Sequence, residues 1–177
     1  DALVTGDARL DLVNVDDASL FGGGSANRFD ISGWLGSLTV DGRGGSDEVV
    51  VDAGVASSGT IIIADIGSAA GDIDELTVLG SNANDAIKIQ RLSALVNDIA
   101  VAYANYEVLR IGGRGGDDTI DIVDAAAQRL VLDGGDGSDA YNVFDGVSVA
   151  DIRISDSGSL PPANTDTLTI GPSVDTS

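Results

Sequence analysis

Cysteine, histidine and methionine are absent from the 177-residue chain, and lysine occurs once, at Lys88. Without Cys or His there is no ordinary zinc site, no thiol nucleophile, no disulfide framework and no His-based catalytic triad. Lys and Arg total 9 against 29 Asp and Glu, a formal charge of −20. A surface so short of cations offers no basic patch to nucleic acid or to an anionic membrane. No apolar run reaches the roughly 18 residues that would suggest a membrane span. Aromatics are scarce: Trp34, Tyr103, Tyr106, Tyr141, Phe21, Phe29 and Phe144. That scarcity suits a narrow core filled by Val, Ile, Leu and Ala. The chain opens on Asp1 with neither Met nor a signal segment, which reads as a processed or excised piece of something longer.

What the chain does contain is aspartate, glycine and short β-branched runs. Only Glu48, Glu75 and Glu107 among the acids are Glu, and Gly supplies 24 residues. The hydrophobic share of 43% argues against disorder despite the charge. Strands are predicted at Leu10–Val15, Leu38–Val40, Val49–Asp52, Ile61–Ile63, Leu76–Leu79, Ile87–Ile89, Leu109–Ile111, Thr119–Val123, Leu130–Leu132, Ile152–Ile154 and Thr167–Ile170. Each run is bounded by Gly, Asp, Asn or Ser, the residues of turns. Only Gln90–Asn97 and Asp124–Gln128 carry a short helix signal. Ala56–Thr60 and Pro161-Pro162 read as loops bulging from the fold, and Gly171–Ser177 as a polar tail.

Two periods run through this pattern. Blocks at Ala18–Ser32, Leu38–Asp52, Leu76–Gln90, Leu109–Val123 and Leu130–Phe144 share one grammar: strand, Gly-rich turn, strand. The turns end in Asn27, Asp47, Asp85, Asp118 and Asp139. Over this lies a unit of about 91 residues. It superposes Asn27 on Asp118, Asp47 on Asp139, Asp65 on Asp156 and Asp74 on Asp166. Residues 1–177 therefore read as a single solenoid segment holding nearly two units, about 15–106 and 107–177, the second incomplete.

A lone strand–turn–strand block cannot bury its apolar face; stacked blocks can. The expectation is an all-β parallel solenoid of the β-helix or β-roll kind, its Gly–Asp turns stacked at one corner. Seven or eight coils at roughly 4.8 Å each would give a rod on the order of 35–40 Å. An antiparallel sandwich is the alternative, with strand spacings of about 8–12 residues.

The turns carry the chemistry. Gly134–Asn142 (GGDGSDAYN) satisfies G-G-x-G-x-D-x-apolar-x at every position. Glycines turn carbonyl oxygens inward, the sixth-position Asp adds a carboxylate, and stacked turns supply the six to eight oxygens that calcium takes. Gly42–Val50 and Gly113–Asp121 follow the pattern with Arg43 and Arg114 at the second position; Gly80–Lys88 and Gly22–Asp30 are more degenerate. The candidate metal ligands are Asp41, Asp47, Asp85, Asp117, Asp118, Asp133, Asp136 and Asp139. Asp65, Asp74, Asp156 and Asp166 read as surface turn acids, and the arginines as surface ion pairs.

These turns resemble the hemolysin-type calcium-binding repeats of RTX proteins. The wider cadence, LVLDGGDGSDAYNV and YANYEVLRIGGRGGDDTIDIV, is similar to long Gly/Asp-rich repeat regions of giant bacterial exported surface and adhesin-like proteins. The resemblance implies Ca2+ as the cofactor and an extracellular or cell-surface location. In RTX β-rolls the nonapeptides follow one another directly; here 11 to 29 residues separate them, so fewer ions than turns are expected. The implied role is a structural segment of a secreted bacterial fibre, sheath or adhesin stalk. Its partner would be itself, through end-to-end association or further repeats, with surface glycans as a second ligand class. The chain is not expected to act as an enzyme, to bind nucleic acid or to insert into a membrane. The competing readings are a β-helix polysaccharide-active enzyme and a carbohydrate-binding module using Trp34 or the tyrosines. Against the enzyme, the acids sit in repeating turns and not in one asymmetric cleft.

Overall fold

Every predicted run that falls among the described residues forms a strand, because its alternating apolar residues share one buried face. The computed structural model describes residues 2–3, 15–55, 59–67, 70–158 and 164–171. Residues 10–14 of the first predicted strand, the loop residues 56–58, Pro161, Pro162 and the tail 172–177 lie outside them. The strands are β1 (Ala2–Leu3), β2 (Asp17–Phe21), β3 (Arg28–Ser32), β4 (Ser37–Asp41), β5 (Glu48–Asp52), β6 (Thr60–Ala64), β7 (Glu75–Leu79) and β8 (Ala86–Gln90). They continue as β9 (Ser93–Val96), β10 (Ile99–Ala104), β11 (Val108–Gly115), β12 (Thr119–Ile122), β13 (Arg129–Asp136), β14 (Ala140–Val143), β15 (Asp151–Ile154) and β16 (Thr167–Ile170). The described residues contain no helix.

The chain is a parallel β-solenoid. It passes alternately between a ten-stranded sheet, ordered β1-β2-β4-β6-β10-β9-β8-β12-β14-β16, and a six-stranded sheet, ordered β15-β13-β11-β7-β5-β3. Register is kept from coil to coil. In the six-stranded sheet Phe29, Val49, Leu76, Leu109, Leu130 and Ile152 form one rank. In the larger sheet Ile87, Ile120, Tyr141 and Leu168 form another. The middle members of both ranks are almost wholly buried. Each buried Val, Leu or Ile contributes about 1.5–3 kcal/mol.

One excursion breaks the simple winding. β8 skips ahead in the large sheet, β9 returns antiparallel to it, and β10 fills the place beside β6. The hairpin between β9 and β10 turns on Asn97 and Asp98, with Asn97 at φ 54°, a backbone region that Asn tolerates in tight hairpins. Gln90–Asn97, expected to hold a helical turn, is instead this added strand. Its alternation places Ala94 and Val96 in the core. Asp124–Gln128 is not helical either. It crosses the excursion, the Ala126 amide donating to the Arg91 carbonyl at 2.9 Å, and buries Ala125 and Ala127. Because three strands are spent on a single passage, the small sheet counts six coils, fewer than the seven or eight expected.

The excursion also decides where the turns lie. From β2 to β10 the chain makes an odd number of sheet passages, so β11 of the second unit lies in the small sheet, whereas its counterpart β2 lies in the large one. Equivalent turns therefore emerge on opposite edges. The Gly–Asp turns form two columns, one per edge, and not a single corner as the repeats suggested.

Candidate metal centre

Each turn ends in a short acceptor side chain immediately before the next strand, which tucks it under the edge of the sheet. On the first edge the Asn27 amide donates to Asp47 Oδ1 at 2.7 Å, the Asp47 amide to Asp74 Oδ1 at 2.7 Å, and the Asp74 amide to Glu107 Oε2 at 2.9 Å. On the second edge the Asp85 amide donates to Asp118 Oδ1 at 2.8 Å, Asp118 to Asp139 Oδ1 at 2.8 Å, and Asp139 to Asp166 Oδ1 at 3.0 Å. Two side-chain ladders thus run along opposite edges. Each carboxylate accepts the amide one coil before it.

Asn97 closes the second ladder at its start. Its Nδ2 donates to Asp85 Oδ1 at 2.7 Å while its Oδ1 accepts the Ala86 amide at 2.9 Å. Asp85 Oδ2 also accepts the Ser81 amide. No such second donor serves the other nonapeptide acids. Among the described residues, Asp47 Oδ2, Asp118 Oδ2 and Asp139 Oδ2 are buried without a hydrogen-bond partner. Each presses on the first glycine of its own turn; a Cβ at Gly113 or Gly134 would collide with Asp118 or Asp139 Oδ2. The glycine is required there by close approach.

Burial of these carboxylates disfavours their charged form. Asp47 and Asp118 are each pushed up to about 6, first by burial, with neighbouring acids adding to it and the ladder amide opposing it. Asp139 moves the same way, from burial and then from Asp156 and Asp166. The phenols of Tyr106 and Tyr141 are held above their usual range, chiefly by burial.

The other predicted ligands are divided in their roles. Asp41 Oδ1 accepts the amides of Arg43 and Ile66, and Asp133 Oδ1 accepts that of Ser157. Asp117 Oδ1 accepts the Ser138 amide, and Asp136 is exposed. These are turn-bracing contacts, and they leave the buried ladder to Asp47, Asp85, Asp118 and Asp139. The arginines do not enter the ladders. Arg114 makes a two-pronged pair with Asp52 at 2.7 and 2.9 Å, and Arg43 lies 4.7 Å from the Phe21 ring centroid.

Asp65 and Asp74, expected at the surface, are buried at 1% and 0% exposure. Asp74, Glu107 and Asp166 are ladder members that the nonapeptide pattern did not mark. Their turns lack its glycines, but each still stands immediately ahead of a strand. One carboxylate oxygen from each of Asp139, Asp156 and Asp166 lies within 4.8 Å of the others. Asp156 is held by the Tyr141 hydroxyl, which donates at 2.8 Å and itself accepts the Gly134 amide at 2.6 Å. The donors along both edges are oxygens alone, several of them buried and unpaired. That chemistry fits a hard cation such as calcium and gives no preference to zinc or copper.

No protein-family model, no curated protein and no solved structure matches this chain.

Proposed function

We propose that the chain is a segment of a calcium-stiffened structural rod, serving an extracellular fibre, sheath or adhesin stalk and extended by end-to-end stacking. The observation that carries this reading is the state of the core rank at the last coil. Leu168 and Ile170 continue the inward positions of Tyr141 and Val143, yet they are 54% and 75% exposed. An apolar rank ending in the open, beside a strand edge, is a surface for another coil of the same kind. Buried acids about one strand spacing apart add a second requirement. Neighbouring charges at about 4.8 Å repel by roughly 3 kcal/mol at an effective dielectric of 20. A divalent cation removes that repulsion and lends the rod its stiffness. With acids distributed along two edges, the chain acts as a scaffold and not as an enzyme.

The test is association. Sedimentation and electron microscopy with calcium should show end-to-end oligomers, and Ile170→Lys should abolish them without altering the far-ultraviolet dichroism. A wild-type chain that stays monomeric at high concentration with calcium present would overturn the rod.

A further inference from the structure

We propose that Asp139, Asp156 and Asp166 form a calcium site that staples successive passages of the second edge, and that the long unit is the period at which this site is built. The inference rests on the calcium reading above and refines it: the ion is assigned to acids one long unit apart from a matching set, and not to the glycine-rich turn alone.

Three observations converge. The three carboxylates come within 4.8 Å of one another, and among the described residues no arginine or lysine pairs with any of them. Asp139 is 1% exposed. Its Oδ1 is used by the Asp118 amide, and its Oδ2 is left without a hydrogen bond. A buried carboxylate oxygen in that state is costly unless a proton, a water or a cation meets it.

The third observation is independent of this cluster. One unit earlier, on the opposite edge, Asp47, Asp65 and Asp74 occupy the equivalent positions and all are buried. Asp47 Oδ2 there is again unpaired, and so is the hydroxyl of Tyr106, a side chain only 3% exposed whose nearest charges include Asp65, Asp74 and Asp47. Tyr141 donates to Asp156 in one set, and the buried Tyr106 phenol, from a position outside the repeat, feels the charges of the other. A repeat that keeps three acids and a glycine floor together on opposite sides of the rod preserves a site more than a turn shape.

The ligand follows from the donors. Carboxylates and backbone oxygens with no nitrogen or sulfur select a hard cation. An irregular set drawn from separate passages, completed by water, suits the loose six- to eight-fold shell of calcium better than the tight octahedron of magnesium. Within the set, Asp166 Oδ1 accepts the Asp139 amide, and Asp156 accepts the Tyr141 hydroxyl and the Gly158 amide, which hold the carboxylates in place.

The experiment is calorimetric titration of the whole chain with calcium, using wild type, Asp156→Asn, Asp166→Asn and Asp136→Asn, with circular dichroism of each variant to confirm the fold. Asp166 is exposed, so its variant keeps the test open if Asp156→Asn perturbs the Tyr141 contact. Each of the first two variants should lose one binding event or weaken it roughly tenfold or more. Asp136→Asn should bind as wild type does. Wild-type isotherms unchanged by Asp156→Asn and Asp166→Asn, with loss in Asp136→Asn, would overturn this site and leave a calcium-bound rod standing. A wild type that binds no calcium would overturn both.

Discussion

Asp118→Asn, measured in chelator, isolates the energetic character of the ladder. Asp118 is 1% exposed, and its pKa is raised from 3.8 to about 6, mainly by burial. The folded state holds the proton more tightly than the unfolded one. The carboxyl therefore costs nothing below pH 3.8; stability falls as pH rises through the window to 6, and the full cost is present above it. The difference corresponds to about 3 kcal/mol. The amide variant never carries that charge. Its Oδ1 still accepts the Asp85 amide, and Asp118 Oδ2 and the Gly134 carbonyl oxygen both crowd the place a Cβ would take at Gly113, which sets a carbonyl acceptor near the new Nδ2. Exchanging a charge-assisted bond for a neutral one returns about 1 kcal/mol. The net expectation is a gain of about 2 kcal/mol at pH 7, or roughly 4–8 °C in melting temperature for a chain of this size. At pH 4 the gain should vanish. Asn27, at the equivalent place in the first turn, spends its side-chain oxygen on the Gly23 amide of its own turn. Thermal melts by circular dichroism at pH 4, 5, 6 and 7 would decide the matter. A variant destabilised equally at every pH would refute the view that burial, and not bonding, governs this carboxyl.

Calcium should raise the wild-type melting temperature by many degrees over the chelated protein. Magnesium should restore little of it, given its tighter geometry; identical melts in all three conditions would remove the cation from the fold. Gly134→Ala should destabilise by about 1–3 kcal/mol through collision with Asp139 Oδ2. Gly23→Ala, in the first turn but facing open space, should change stability by no more than about 0.5 kcal/mol. Denaturant unfolding of the two variants side by side checks the close-approach argument, and equal losses would contradict it.

The solenoid and its registers were legible because apolar residues alternate inside each strand while Gly and Asp punctuate the turns. Asp47, Asp85, Asp118 and Asp139 could be picked out by their distance from the first glycine of the turn. Asp74, Glu107 and Asp166 could not, since a ladder needs only an acceptor just ahead of the strand and is indifferent to the turn's length. The long period did pair Asp65 with Asp156 and Asp74 with Asp166. Their burial depends on which coil covers them, which no local pattern records. The edge assignment was hidden for a related reason. Leu92, Ala94 and Leu95 favour helix as readily as strand, and only pairing with β8 and β10 makes Ser93–Val96 a strand. That single element, by fixing the parity of passages, set the turns of Asp118 and Asp139 on the edge opposite those of Asn27 and Asp47.

The same parity has a mechanical consequence. A rod with all its ion-binding turns along one side would behave like a bimetallic strip: loading or emptying that side would lengthen or shorten it against the other and bow the rod. An odd number of passages per unit sets the second unit's Asp118 and Asp139 turns on the edge opposite the first unit's Asn27 and Asp47 turns, so that neighbouring units would load mainly on opposite sides. In an array of such units the bending moments alternate in sign and cancel over every pair. Under the calcium-rod proposal, changes in cation concentration would then alter the tautness of a filament while its axis stays straight.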